Sequence, residues 1–147
     1  MRTAILAFAG ALIVLVCVPS ALHAKPKSPR SNRDRIYTAQ QAKRGQSVYA
    51  RTCAACHGVE LEGISAKCAP PLVGEDFDSV WTGLSMDELF ENIQETMPDD
   101  NKGSLTRQDT ANLVAFILSK GKSPSGPSEL STSAATLKQI KYLAAKP

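Results

Sequence analysis

Residues 51–60 read Arg-Thr-Cys-Ala-Ala-Cys-His-Gly-Val-Glu, so Cys53 and Cys56 stand two residues apart with His57 directly behind the second. Three chemistries use such a cluster. A structural zinc ion wants four ligands, normally from two paired clips. Here Cys68 is the one further candidate, and His57 follows Cys56 too closely to complete a tetrahedron comfortably. A thioredoxin-like dithiol sits at the end of a strand in a parallel sheet, whereas this pair follows a helical pattern. Covalent attachment of haem accounts for the whole arrangement: each thiol adds to a vinyl group of the porphyrin, the two-residue gap matches the vinyl spacing, and His57 becomes the proximal iron ligand.

The rest of the chain bears on that choice. At 147 residues it has room for one compact domain. Residues 1–24 read as a cleaved secretory signal: Arg2, an apolar run over 4–18 too short for a membrane span, then Pro19 and a small residue at Ala24. The expectation is therefore an exported, periplasmic protein with no membrane span after cleavage. Cys17 and His23 leave with the signal, so His57 is the one histidine of the mature chain and Cys53, Cys56 and Cys68 are an odd set of thiols. Haem attachment at Cys53 and Cys56 resolves the odd count. Cys68 is then expected to be a small buried thiol, with an intermolecular disulfide as the alternative.

With one histidine, the sixth iron ligand is Met86, Met97, a lysine or nothing. Met86 falls in the first turn of a capped helix, where a side chain usually packs or faces water. Met97 precedes Pro98, which stiffens the loop that carries the thioether, and is the favoured ligand. A His57/Met97 pair raises the potential and closes the iron to outside ligands, leaving one-electron exchange as its chemistry.

Helical spacing predicts one helix over residues 38–52. A second follows a capping box at Ser85 and Glu88 and stops before Pro98. A third follows Thr106 and Asp109 and ends at Lys120 and Gly121. Residues 58–83, punctuated by glycine and proline, read as loop, and 121–133 as a surface loop before a short last helix over 134–145. The domain expectation is a basic, disordered arm over 25–36 (Lys25, Lys27, Arg30, Arg33, Arg35), a haem domain over 37–121, and a C-terminal loop and short helix over 122–147 packed on it. Eleven acids fall within residues 60–100 against Lys67 alone, which disfavours nucleic acid as a partner and predicts docking to a basic patch on a redox protein.

These residues together resemble the class I c-type cytochromes over 38–120. The resemblance rests on Cys53-Ala54-Ala55-Cys56-His57, Pro70-x-Leu72-x-Gly74 and Met97-Pro98, and on Gly45 and Tyr49 facing Leu113 and Phe116. It implies a small all-α fold in which three main helices wrap around one covalently bound haem c, with a C-terminal extension. It also implies that the first and last main helices cross at the small and aromatic positions, and that the Pro70 carbonyl accepts a hydrogen bond from the axial histidine. Pro70, Leu72 and Trp81 would line the cofactor, Trp81 either bonding a haem propionate or covering the haem edge.

"QAKRGQSVYARTCAACHG", "PPLVG" onward through Phe77 to Trp81, "ETMP" and "GKSPSGPSEL" are closer still to the cytochrome domains of quinohaemoprotein alcohol dehydrogenases. That likeness implies a donor dehydrogenase carrying pyrroloquinoline quinone and a terminal oxidase or second cytochrome as acceptor. With no dehydrogenase domain alongside, the chain is expected to be a free-standing carrier or a detachable subunit, and not an enzyme. The competing expectation is an open-site haem protein, a peroxidase or diatomic-gas sensor, weakened by the lack of a distal histidine.

Overall fold

The computed structural model describes residues 30–67 and 69–145. The expected signal at 1–24, the first part of the basic arm and the thiol of Cys68 lie outside the described residues.

Two helices of fourteen residues form the frame, α1 (Ala39–Thr52) and α5 (Arg107–Lys120). The Thr38 hydroxyl accepts from the Gln41 amide at 3.0 Å and starts α1, and the Thr106 hydroxyl does the same for Asp109 at 3.1 Å in α5. They cross where α1 has no side chain. A Cβ on Gly45 would overlap the Asn112 carbonyl oxygen and come within 2.9 Å of the Phe116 Cβ. One turn on, the Tyr49 and Phe116 rings meet at 5.3 Å between centroids. Every residue of α5 from Thr110 through Leu118 is buried, so this helix is the centre of the core.

Between them in sequence, α2 (Ala54–His57) is a single turn, α3 (Glu75–Trp81) has seven residues and α4 (Met86–Thr96) eleven. The capping box expected for α4 is present: Glu88 Oε2 accepts from the Ser85 amide at 2.7 Å and Ser85 Oγ from the Glu88 amide at 3.3 Å. Its inner face buries Met86, Leu89 and Phe90. Gln94 ties it to α5 by accepting from the Thr110 hydroxyl at 2.8 Å and donating to the Leu105 carbonyl at 2.7 Å. Among the described residues no helix is long and apolar enough to cross a membrane.

Three expectations need correction. Residues 58–83 are not loop throughout, because α3 lies inside them. Gly74 at φ 87° turns the chain into it, Glu75, Asp76 and Asp78 sit at its positive end, and Phe77 and Trp81, four apart, meet at 6.0 Å. The last helix does not run over 134–145. It stops as α6 (Ala134–Leu137), and the chain then extends, burying Ile140 and Tyr142 on one side of exposed Lys141. That is a period of two, not 3.6. Ile140–Lys141 (β2) pairs in parallel with Arg30–Ser31 (β1).

The third correction concerns the arm. From Arg30 onward it is held: Ser31, Asn32 and Ile36 are buried. The Asn32 amide takes both polar groups of one distant peptide, accepting from Leu143 N at 2.8 Å and donating to Leu143 O at 3.0 Å, and donates also to the Ser123 hydroxyl at 2.9 Å. The Arg33 guanidinium donates to the Ala144 carbonyl and Arg35 Nε to the Ser125 carbonyl. The loop expected over 121–133 is present, pinned where Gln41 clasps the Leu130 backbone at 2.7 and 3.1 Å.

Two outcomes follow from this packing. Gly45→Ala should cost about 1–3 kcal/mol, read as a lowered denaturation midpoint, because neither backbone nor Phe116 can yield freely at the crossing. Burial raises the phenol pKa of Tyr37, Tyr49 and Tyr142, with Asp78 adding at Tyr142 and Cys53, Glu62 and Glu60 adding at Tyr49. A phenol that holds its proton more tightly when folded contributes stability that is complete below the unfolded value of about 10 and is lost as pH rises above it. Alkaline titration should therefore release phenolate absorbance only together with unfolding. A tyrosine ionising freely in the folded protein near pH ~10 would contradict this.

Candidate functional site

The Cys-Cys-His turn hangs from the end of α1. Cys53 closes that helix by donating its amide to the Tyr49 carbonyl at 2.9 Å, and the amides of Cys56 and His57 both donate to the Cys53 carbonyl, at 3.0 and 2.9 Å. Cys53 is half-buried, Cys56 exposed, and His57 is 7 % exposed. The Tyr49 hydroxyl spans the turn and donates to the Gly58 carbonyl at 2.5 Å. The α1 residue that packs on Phe116 thus also fixes the chain just beyond His57.

Residues 58–72 fold back to meet the turn. Gly58 at φ 81° and Leu61 at φ 66° reverse the chain, and Leu61 is fully buried. Gly63, at φ 76°, lets the backbone run against the two prolines: a Cβ there would lie 2.6 Å from Pro71 N and 2.8 Å from the Pro70 carbonyl carbon. Its amide donates to the His57 carbonyl at 2.8 Å, and the Leu72 amide donates to the Leu61 carbonyl at 2.9 Å. The outcome is a Pro70 carbonyl oxygen 2.8 Å from His57 Nδ1. A carbonyl only accepts, so Nδ1 carries a proton and the neutral ring presents its lone pair at Nε2, which is the form of imidazole that ligates a metal.

Burial, first of all, holds the Cys53 thiol above its ordinary pKa, and Cys56 adds to the shift while the Thr52 hydroxyl opposes it. That is the reverse of the depressed thiol on which a nucleophilic dithiol depends. Among the described residues no three histidine, cysteine or acidic side chains gather as a metal cluster. Six apolar side chains packed against the core are left half-exposed: Cys53, Ala54, Leu72, Val73, Trp81 and Ile93. Two thiols and one ring nitrogen on a single turn, in a fold that leaves apolar side chains half-covered, fit a large, flat apolar cofactor held covalently.

The remaining predicted residues are spread over other elements. Trp81 ends α3 and Met97 caps α4, its amide donating to Ile93 O at 3.0 Å before a cis bond to Pro98. Met97 is half-buried, whereas Met86 is wholly buried in the core. The structure brings His57 and Pro70 into direct contact. Leu72 and Trp81 are each half-exposed against the core, and no hydrogen bond among the described residues joins Met97 to the Cys-Cys-His turn. The supports that residue type did not advertise are Leu61, with its left-handed backbone, and Lys67, whose ammonium donates to the Ala55 carbonyl on α2.

Comparison with known proteins places the chain. The family model described as cytochrome C oxidase, cbb3-type, subunit III matches residues 40–117. Among solved structures the chain is similar to one in the sulfane dehydrogenase SoxCD from Paracoccus pantotrophus, with a TM-score of 0.53 and 17% identity over 83% of this chain and 68% of that one. At that identity the likeness speaks to the fold alone.

Gly63→Ala should loosen the loop at His57. A left-handed alanine costs about 1–2 kcal/mol, and its methyl group would push on the Pro70–Pro71 peptide. Hydrogen exchange of the His57 ring N–H, followed by NMR, should accelerate. Protection equal to that of the unaltered protein would show that the loop does not depend on Gly63.

Proposed function

The chain belongs to this cytochrome family, whose domains carry covalent haem c and transfer electrons without being enzymes themselves, and we propose that it is a monohaem electron carrier of the periplasm. The small all-α fold is that of the class I cytochromes. In this reading residues 37–121 are the haem domain and 122–147 its extension, behind a signal at 1–24. Cys53 and Cys56 would hold the porphyrin by thioether bonds, His57 and Met97 would ligate its iron, and Pro70, Leu72 and Trp81 would line the cofactor.

The observation that carries the reading is the 2.8 Å contact of His57 Nδ1 with the Pro70 carbonyl. It favours the tautomer with the proton on Nδ1 and restrains the ring. Haem, when bound, supplies an iron that changes oxidation state by one electron. The protein's part is to keep that change from requiring motion: Tyr49 braces Gly58, Gly63 seats the Pro70 carbonyl, and Leu72, Val73, Trp81 and Ile93 offer apolar surface that excludes water. The donor is a periplasmic dehydrogenase, of the pyrroloquinoline quinone type on the wording of residues 41–58 and 121–130, and the acceptor a terminal oxidase or another cytochrome. The exposed acids of 60–100 favour a basic docking surface on those partners.

Absorption spectra of the matured protein test the ligand set. An oxidised form with a far-red thioether band and a reduced form indifferent to carbon monoxide are expected. Met97→Ala should abolish the band and admit carbon monoxide, and Met86→Leu should do neither. Prompt carbon monoxide binding by the unaltered protein would favour the open-site reading.

A further inference from the structure

The C-terminal extension packs on α3 at Tyr142, and we propose that Tyr142 is a positioning residue that holds α3, and Trp81 with it, against the cofactor. The inference rests on the reading of Trp81 as a haem-edge residue.

Little else secures α3. It has no side-chain cap at Gly74, Phe77 is its one fully buried residue, and the turn after it, residues 82–84, is exposed. Tyr142 engages it in three ways. Its hydroxyl donates to Asp78 Oδ1 at 2.5 Å, and its ring meets Phe77 edge-on at 5.6 Å and 85°. Its backbone closes the following turn, with Gly83 N donating to Tyr142 O and Tyr142 N to Leu84 O, both at 2.9 Å. Phe77 in turn lies 6.0 Å from Trp81, so the three rings form a ladder from the extension to a half-exposed indole.

Tyr142 is itself held from behind. It is 4 % exposed, β2 ends just before it, and Asn32 grips both polar groups of Leu143 just after it. An indole at the edge of a haem governs water access and hydrogen bonding to nearby charge, which are among the features that set a reduction potential. A contact that fixes the indole therefore acts on the potential without touching the cofactor.

Trp81 is the single tryptophan of the chain, so its fluorescence in the holoprotein reports its distance from a quenching haem. Tyr142→Phe should raise that emission and shift the midpoint potential, and Tyr142→Leu should do both more strongly. Leu130→Ala, which loosens the extension where Gln41 of α1 clasps it, should lower stability with neither change. Tyr142 variants with emission and potential unaltered would overturn the proposal, as would Leu130→Ala moving both as far. Trp81→Phe separates the two levels. If it leaves the potential unmoved, the haem-edge reading fails and the inference falls with it. If it shifts the potential while the Tyr142 variants do not, the inference alone fails.

Discussion

Where α1 passes over α5, the missing side chain at Gly45 lets the Asn112 carbonyl approach the facing backbone, and that approach sets the depth at which the rest of α1 lies. With the helices any farther apart, Tyr49 would not rest on Phe116, and its hydroxyl would not reach the Gly58 carbonyl. The position of the Cys-Cys-His turn is therefore inherited from a contact about two helical turns upstream. The chemistry-bearing residues are polar or reactive, but a close-packed apolar crossing places them.

The loop over 58–72 shows the complementary arrangement. It buries little apolar surface apart from Leu61, and its shape comes from left-handed backbone at Gly58, Leu61 and Gly63 together with the stiffness of Pro70 and Pro71. Its task is narrow: to present one carbonyl oxygen to one ring nitrogen. Rigid backbone acceptors of this kind need no side chain to be exact, which explains why glycine and proline, poor builders of regular structure, crowd this stretch.

What the sequence made legible was local. Capping residues marked α4 and α5 because Ser85, Glu88, Thr106 and Asp109 bond within their own first turns. The Cys53, Cys56 and His57 cluster was legible because its spacing is its chemistry. A backbone acceptor such as the Pro70 carbonyl is invisible to residue type and entered only through the family resemblance. The helix α3 was hidden by glycines on both sides, although Phe77 and Trp81 stand at helical spacing. The fixed part of the arm was hidden more deeply: nothing near Asn32 hints at Leu143, and a run of basic residues among serines and prolines has the composition of a disordered tail.

The clasp between Asn32 and Leu143 joins residues 111 apart. A ribosome delivers Asn32 early and Leu143 after everything between them, so this contact forms only once the whole intervening stretch has been made. The entropy of bringing such distant residues together is met in advance once α1 and α5 have already crossed. The clasp therefore waits on the helical crossing and, once made, ties the two ends of the described fold to each other.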